Sequence, residues 1–131
     1  MDKYLPNEMA ESEKFVSQFP NDTRCAERLT RLGYICFDRG YASHADNKEQ
    51  IEYFDKAIQW YRKRIFEYGY IKEGIIGAIE RLGYTFQYKR DYINAIETYE
   101  YLIEHYPEEK ANHLYPVKIR VRHHIFDCYR R

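Results

Sequence analysis

The side chains best suited to chemistry lie close together near the C-terminus, where His123, His124, Asp127 and Cys128 fall within six residues. On a helix, His124 and Cys128 are one turn apart and could bind the same metal ion. Two ligands do not complete a zinc site, and a Cys–His nucleophile also needs an orienting group and an oxyanion hole. No Gly-rich phosphate loop, HExxH or GxSxG motif is present. We therefore expect ordinary helical residues with Cys128 buried, and no enzyme, metal site or cofactor.

The composition narrows the class of protein. A chain of 131 residues fits a single domain, and 21 Lys and Arg balance 21 Asp and Glu, so the formal net charge is zero. Zero net charge argues against nucleic acid or an anionic membrane as a partner, although Tyr and Arg can stack on single-stranded nucleic acid. Three cysteines without a CxxC pair, no visible signal peptide and no apolar run of about 20 residues predict a soluble cytoplasmic protein.

An internal repeat predicts the helices that position these residues. The segment Arg31–Tyr34 (RLGY) recurs as Arg81–Tyr84, and Phe15–Pro20 matches Leu102–Pro107. Each unit of the repeat predicts a first helix, called A, followed by an antiparallel second helix, called B. Asp91 can N-cap the B helix of the second pair. The predicted elements are an orphan B helix at 7–19, pair one at 23–68 (A 23–41, B 47–68), pair two at 72–106 (A 72–89, B 92–106) and a terminal A helix at 116–130.

Pair one is longer than pair two. Gly33 and Ala57 are 24 residues apart, whereas the equivalent Gly83 and Ala95 are 12 apart, so about twelve extra residues lie near 41–50. They form either a surface loop or an extension of both helices by one to two turns. The second interpretation is favoured because the apolar periodicity of the B helix already begins at Ile51.

The best-preserved copy of the repeat resembles a tetratricopeptide repeat (TPR). Leu82-Gly83, Phe86, Ala95, Tyr99 and Pro107 have the residue types and spacing of that family. The resemblance implies an all-α solenoid of about six helices in antiparallel hairpins, with Gly83 and Ala95 where two helices cross closely. A half-a-tetratricopeptide or Sel1-like repeat remains an alternative.

In that family the A helices line a concave groove that binds a partner peptide. The planar guanidinium group of arginine binds a carboxylate through two parallel hydrogen bonds, and aromatic rings give flat contact area. The groove would therefore suit an acidic peptide with an apolar anchor. Chaperone-tail binding is disfavoured, because only Arg120 falls on a basic position of the Lys/Asn clamp used for it. Carried over by position, the groove residues are Arg31, Tyr34, Phe37, Arg81, Tyr84, Tyr88, Arg120, His123 and Phe126.

The same residues have a purely structural alternative. The arginines can pair with Glu27, Glu80 or Asp38, and the tyrosines can pack internally. Charge is also segregated: residues 91–109 hold six acids and no Lys or Arg, whereas 110–131 are basic. This pattern is either complementarity between neighbouring helices or a pair of separate acidic and basic faces.

The function predicted from these features is a protein–protein interaction scaffold, an adaptor or chaperone-like protein that binds a partner peptide. The alternative is a homo-oligomer, such as a homodimer, in which the unpaired terminal helices stack on those of another chain. The terminal helix could instead cap the stack with a polar outer face. An enzyme or a nucleic-acid binder is a remote alternative, and no membrane partner is expected.

Overall fold

The computed structural model describes residues 7–43, 47–107 and 115–130. Within these ranges every regular element is a helix and no strand is present, which confirms the all-α class. The chain divides into two compact units, one ending at Gly74 and the other beginning at Ile75. Their organisation as a single domain stays a prediction. The helices are α1 (Glu8–Gln18), α2 (Cys25–Ala42), α3 (Asn47–Glu67), α4 (Ile75–Tyr88), α5 (Tyr92–His105), α6 (Val117–Arg120) and α7 (Arg122–Tyr129).

The first unit contains α1, α2 and α3. Helix α1 packs against α2, and α2 pairs with α3 in a long hairpin. The Tyr68 hydroxyl donates to the carbonyl of Pro20 at 2.5 Å, so it ties the turn after α3 to the turn after α1. One apolar core cluster of this unit consists of Val16, Cys25, Ala26, Leu29, Leu32 and Tyr68.

A buried arginine organises the turn that follows α3. Arg64 is 1% exposed, and its guanidinium donates to the backbone carbonyls of Tyr68, Ile71 and Glu73 at 2.8, 3.0 and 2.8 Å. Carbonyls just beyond the end of a helix have no helical donor of their own. Arg64 therefore supplies from one side chain the donors that this turn needs.

The second unit contains α4 to α7. Helices α4 and α5 form a short hairpin, and α6 and α7 pack against α5. The Asp91 carboxylate accepts from the backbone N–H of Asn94 at 3.4 Å, which confirms the predicted N-cap of α5. The predicted terminal helix is present as two segments separated only by Val121, whose φ of −79° and ψ of −23° are helical. The segments α6–α7 therefore act as one helix with a tightened turn.

The extra residues of the first hairpin lie mostly in its helices. Helix α2 has 18 residues where α4 has 14, and α3 has 21 where α5 has 14. The extended-helix interpretation is confirmed for 41–42 and 47–50, while 44–46 lie outside the described residues. No observed helix end differs by more than three residues from its prediction, apart from the interruption at Val121.

Each hairpin is closed by a glycine that faces a tyrosine ring. A Cβ atom at Gly33 would lie 2.7 Å from Cδ1 of Tyr61, and one at Gly83 would lie 2.7 Å from Cδ1 of Tyr99. The residue after each glycine packs on the same ring: Tyr34 meets Tyr61 edge-on at 6.5 Å. Tyr84 meets Tyr99 at 6.2 Å in the same manner. The predicted close crossing of the helices at Gly83 is thus confirmed, and the contact recurs in both units.

We expect Gly83→Ala to destabilise the protein. The added methyl group must displace the Tyr99 ring, which is fully buried, and overpacking of this kind costs about 1–3 kcal/mol. Urea unfolding followed by circular dichroism measures the change in the free energy of unfolding.

Gly77→Ala is the matched control. It lies in the same helix, but a Cβ atom there would have no neighbour within 4 Å. Alanine favours the helix over glycine, so we expect this variant to gain about 0.5–1 kcal/mol. Equal stability changes in the two variants would contradict the close glycine–tyrosine contact.

Candidate partner-binding surface

A buried ion pair joins α4 to the terminal helix in the second unit. Glu80 is 6% and Arg120 is 14% exposed at the side chain. The Arg120 guanidinium donates to Glu80 Oε1 at 2.7 Å and to Oε2 at 3.3 Å, and it also donates to the carbonyl of Tyr115 at 3.2 Å. A paired arrangement with these additional hydrogen bonds is what makes two buried charges tolerable. Arg120 thus faces inward.

The ion pair continues into a chain of aromatic and imidazole groups. The Tyr84 hydroxyl donates to Glu80 Oε2 at 2.9 Å and lies 3.1 Å from His124 Nε2. Because the hydroxyl has given its only proton to Glu80, His124 Nε2 must carry the hydrogen of the second bond. The His124 ring lies 4.8 Å from the Tyr84 ring and stacks on Tyr99 at 5.4 Å. The Tyr99 hydroxyl in turn donates to Gln87 at 2.7 Å.

Burial keeps these groups uncharged. Desolvation is the main cause that lowers the pKa of His124 below its usual value of 6.5. Desolvation, followed by the charge of Glu80, raises the pKa of Tyr84. Desolvation also raises the pKa of Tyr99. At neutral pH the phenols stay protonated and the imidazole stays neutral, so the cluster holds the terminal helix in place through satisfied hydrogen bonds.

The structural alternative left open by the sequence is confirmed for Arg120, because its partner is Glu80. Tyr84 is half-buried in the same cluster. The histidine beside Tyr84 is His124, whereas the predicted groove residue His123 is exposed. The helix of 3.6 residues per turn directs the two imidazoles about 100° apart, so an error of one residue exchanges buried for exposed.

The residues predicted on α2 also make contacts inside their own unit. Arg31 forms an ion pair with Glu8 of α1 while 46% of its side chain stays exposed. Tyr34 is half-buried against Tyr61. Phe37 is half-buried too, with its ring 5.6 Å from that of Phe54 and 6.2 Å from that of Tyr41.

Three of the remaining predicted residues differ in exposure. Arg81 is half-buried, Tyr88 is 52% exposed near the end of α4, and Phe126 is 62% exposed on α7. Together with Arg31 and His123, Tyr88 and Phe126 are the predicted groove residues that present most surface to solvent. The structure brings Tyr84 and Arg120 together through Glu80, and their role in binding a partner stays a prediction.

The stacking of His124 on the tyrosine rings and the inward position of Glu80 were not predicted. A signal for both was present. Glu80 and Tyr84 are four residues apart, as are Arg120 and His124, so each pair shares one face of its helix. A polar pair on one helix face can extend into a network with a polar pair on a neighbouring helix.

The histidine–cysteine cluster does not assemble a metal site. Cys128 is 4% exposed, and His124 contacts two tyrosines. Within residues 7–43, 47–107 and 115–130, no three His, Cys, Asp or Glu side chains are grouped so that they could hold a metal ion. None of the helices in this part of the chain is both long and apolar enough to cross a bilayer.

We expect Arg120→Ala to destabilise the protein strongly, because it leaves the Glu80 carboxylate buried without its cation. Breaking a buried pair in this way costs about 3–5 kcal/mol, measured by urea unfolding. The double variant Glu80→Gln/Arg120→Leu should recover part of that loss, since no buried charge remains and Gln can still accept from Tyr84.

Arg122→Ala is the control for loss of an arginine from the same helix. Arg122 is exposed, so its removal should change stability by no more than about 0.5 kcal/mol. A loss at Arg120 as small as the loss at Arg122 would show that the pair does not hold the helix.

The neutral His124 makes stability depend on pH. Its pKa is lower in the folded than in the unfolded chain, so below about pH 6.5 the unfolded chain binds the extra proton. The contribution of His124 is therefore complete above that pH and is lost as the pH falls below it. His124→Gln should flatten the decline in unfolding free energy between pH 7.5 and 5, while the exposed His123→Gln serves as the control. Identical pH profiles for His124→Gln and the unsubstituted protein would contradict this assignment.

Comparison of the chain with protein-family models, with curated proteins and with solved structures gives no match. The basis for a proposed function is thus the geometry of the two hairpins and of their exposed side chains.

Proposed function

We propose that this chain is a small cytoplasmic adaptor built as a TPR-like stack of helical hairpins, which binds a peptide segment of a partner protein. The observation that carries this proposal is the recurrence of one closing contact, Gly33 on Tyr61 and Gly83 on Tyr99. Two hairpins that share this packing in spite of their different lengths are what a repeat architecture requires. Repeats of this kind commonly provide extended surfaces for binding other chains.

The state of the polar side chains supports binding over catalysis. The Glu80, Tyr84 and His124 groups donate to or accept from one another, and burial keeps the phenol and the imidazole uncharged. A general base or nucleophile needs a group with a pKa near the working pH and access to substrate. These residues instead stabilise the scaffold, and the exposed side chains of the A helices are left for contact.

The inward position of Arg120 changes the chemistry expected of the peptide. The three predicted groove arginines, Arg31, Arg81 and Arg120, would favour several acidic groups, but Arg120 is already paired with Glu80. Arg31 likewise pairs with Glu8 while 46% of its side chain stays exposed, and Arg81 is half-buried on the same helix as the exposed ring of Tyr88. The peptide we propose therefore has an apolar or aromatic anchor and only one or two carboxylates.

Selection from a library of random peptides displayed on phage tests this function. We expect enrichment of sequences that combine an aromatic or aliphatic residue with an acid. The double variant Arg81→Ala/Tyr88→Ala should weaken binding of the selected peptide at least about tenfold, since it removes one charged contact and one aromatic contact. Tyr84 is left in place because its hydroxyl supports the buried cluster.

Arg62→Ala/Tyr70→Ala is the matched control. It removes the same two residue types at exposed positions on α3 and in the turn after it. Both double variants should keep the helical circular dichroism signal. No enrichment, or equal loss of binding in the two variants, would refute the proposed binding surface.

A further inference from the structure

The second unit exposes an acidic face on α5. Its residues are spaced as one side of a helix, and all of them are exposed. Residues 91–107 contain no Lys or Arg, so nothing within this segment except His105 can offset the acids. Ile93 is 74% exposed and Tyr101 is 41% exposed, which adds apolar area among the carboxylates. The acidic face consists of Ile93, Glu97, Glu100, Tyr101 and Glu104.

The outward side of α6–α7 forms a basic face of the same unit. The inward side of this helix is apolar, with Val117, Val121 and Cys128 buried. The outward side presents two arginines and three large apolar side chains, of which Phe126 is 62% and Tyr129 is 70% exposed. Arg130 lies 3.8 Å from Asp127, a loose and exposed pair. The basic face consists of Ile119, Arg122, Phe126, Tyr129 and Arg130.

These faces do not neutralise each other within one molecule. Helices α5 and α6–α7 pack together through their buried sides, so their charged sides lie away from the contact. Over the described ranges, no ion pair joins a glutamate of the acidic face to an arginine of the basic face. Of the two interpretations of the charge pattern, this arrangement favours separate faces for these residues. Glu108, Glu109, Lys110 and Arg131 lie outside the described residues.

We propose that the acidic face of one copy binds the basic face of a second copy. Each face carries the charge that the other lacks, and each carries large exposed apolar side chains that would be buried in the contact. Opposite charges guide the encounter and set the register, while apolar burial supplies most of the affinity. Because the two faces differ, the contact is head to tail, and each added copy leaves one acidic and one basic face open. Such a contact extends into a ring or a chain of adaptors.

The exposed side of α1 is a poorer complement for the basic face than the acidic face on α5 is. The exposed side of α1 consists of small or polar residues such as Ala10, Glu11, Glu13 and Ser17. Lys14 interrupts its acids, and its large exposed apolar side chain, Phe19, lies just beyond the end of the helix. Helix α5 offers both acids and large apolar side chains, so the basic face has its complement within the second unit. Phe126 is shared with the predicted groove residues, whereas Arg81 and Tyr88, on which the peptide binding is tested, belong to neither face.

Charge reversal with mixing tests the contact. One variant, Glu97→Lys/Glu100→Lys/Glu104→Lys, makes both faces basic, and the other, Arg122→Glu/Arg130→Glu, makes both acidic. Sedimentation velocity over a concentration series should show self-association of the unsubstituted protein at low salt, weakened at high salt by screening. Each variant by itself should dissociate at least about tenfold more readily. An equimolar mixture of the two should associate again, because each variant then meets a face of opposite charge.

The control variant Glu11→Lys/Glu13→Lys/Glu52→Lys changes the net charge by the same amount as the first variant, at exposed positions on α1 and α3. It should associate like the unsubstituted protein, and all variants should keep their helical circular dichroism signal. The proposal is overturned if the unsubstituted protein stays monomeric at every concentration, if mixing does not restore association, or if the control variant loses association equally. If the protein is strictly monomeric, the two faces contact other partners or solvent instead of each other.

Discussion

In both hairpins a tyrosine ring lies directly on the backbone of a glycine in the facing helix, and the rest of the structure depends on this contact. Only a residue without Cβ lets the ring approach so closely, and the adjacent Tyr34 or Tyr84 then packs edge-on against it. Aromatic pairs in this geometry add stabilisation beyond the area they bury. The contact fixes how the two helices cross, so the hairpins can differ in length without changing how they close.

The second unit builds its polar cluster on top of that contact. Tyr84 is held by Tyr99, and its hydroxyl reaches Glu80, which holds Arg120 of the terminal helix. His124 fills the space between the two tyrosine rings. The residues that looked most available for chemistry or for a ligand thus bind the protein to itself. What they leave at the surface are aromatic rings and segregated charges, which suit association with other chains.

Much of the fold was predictable from local patterns. The amphipathic spacing, the Asp91 cap and the repeated RLGY segment gave the helices to within three residues, because each depends on neighbours along the chain. The extension of α2 and α3 followed from the position at which the apolar periodicity starts. The interruption at Val121 was not predicted, because the local sequence has no helix-breaking Gly or Pro there and the backbone angles of Val121 are helical.

The sequence by itself determined the helical class, the order of the hairpins and the close crossing at Gly83, because residue type and spacing along one chain are enough to specify them. Only the tertiary structure decided which of these side chains remain exposed to solvent. Arg31 and Arg120 are both predicted groove residues, yet the side chain of the first is 46% exposed, whereas that of the second is 14% exposed and paired with Glu80. Likewise His124, not His123, joins the cluster. Burial depends on what the neighbouring helices place opposite each residue, and spacing along the chain does not contain that information.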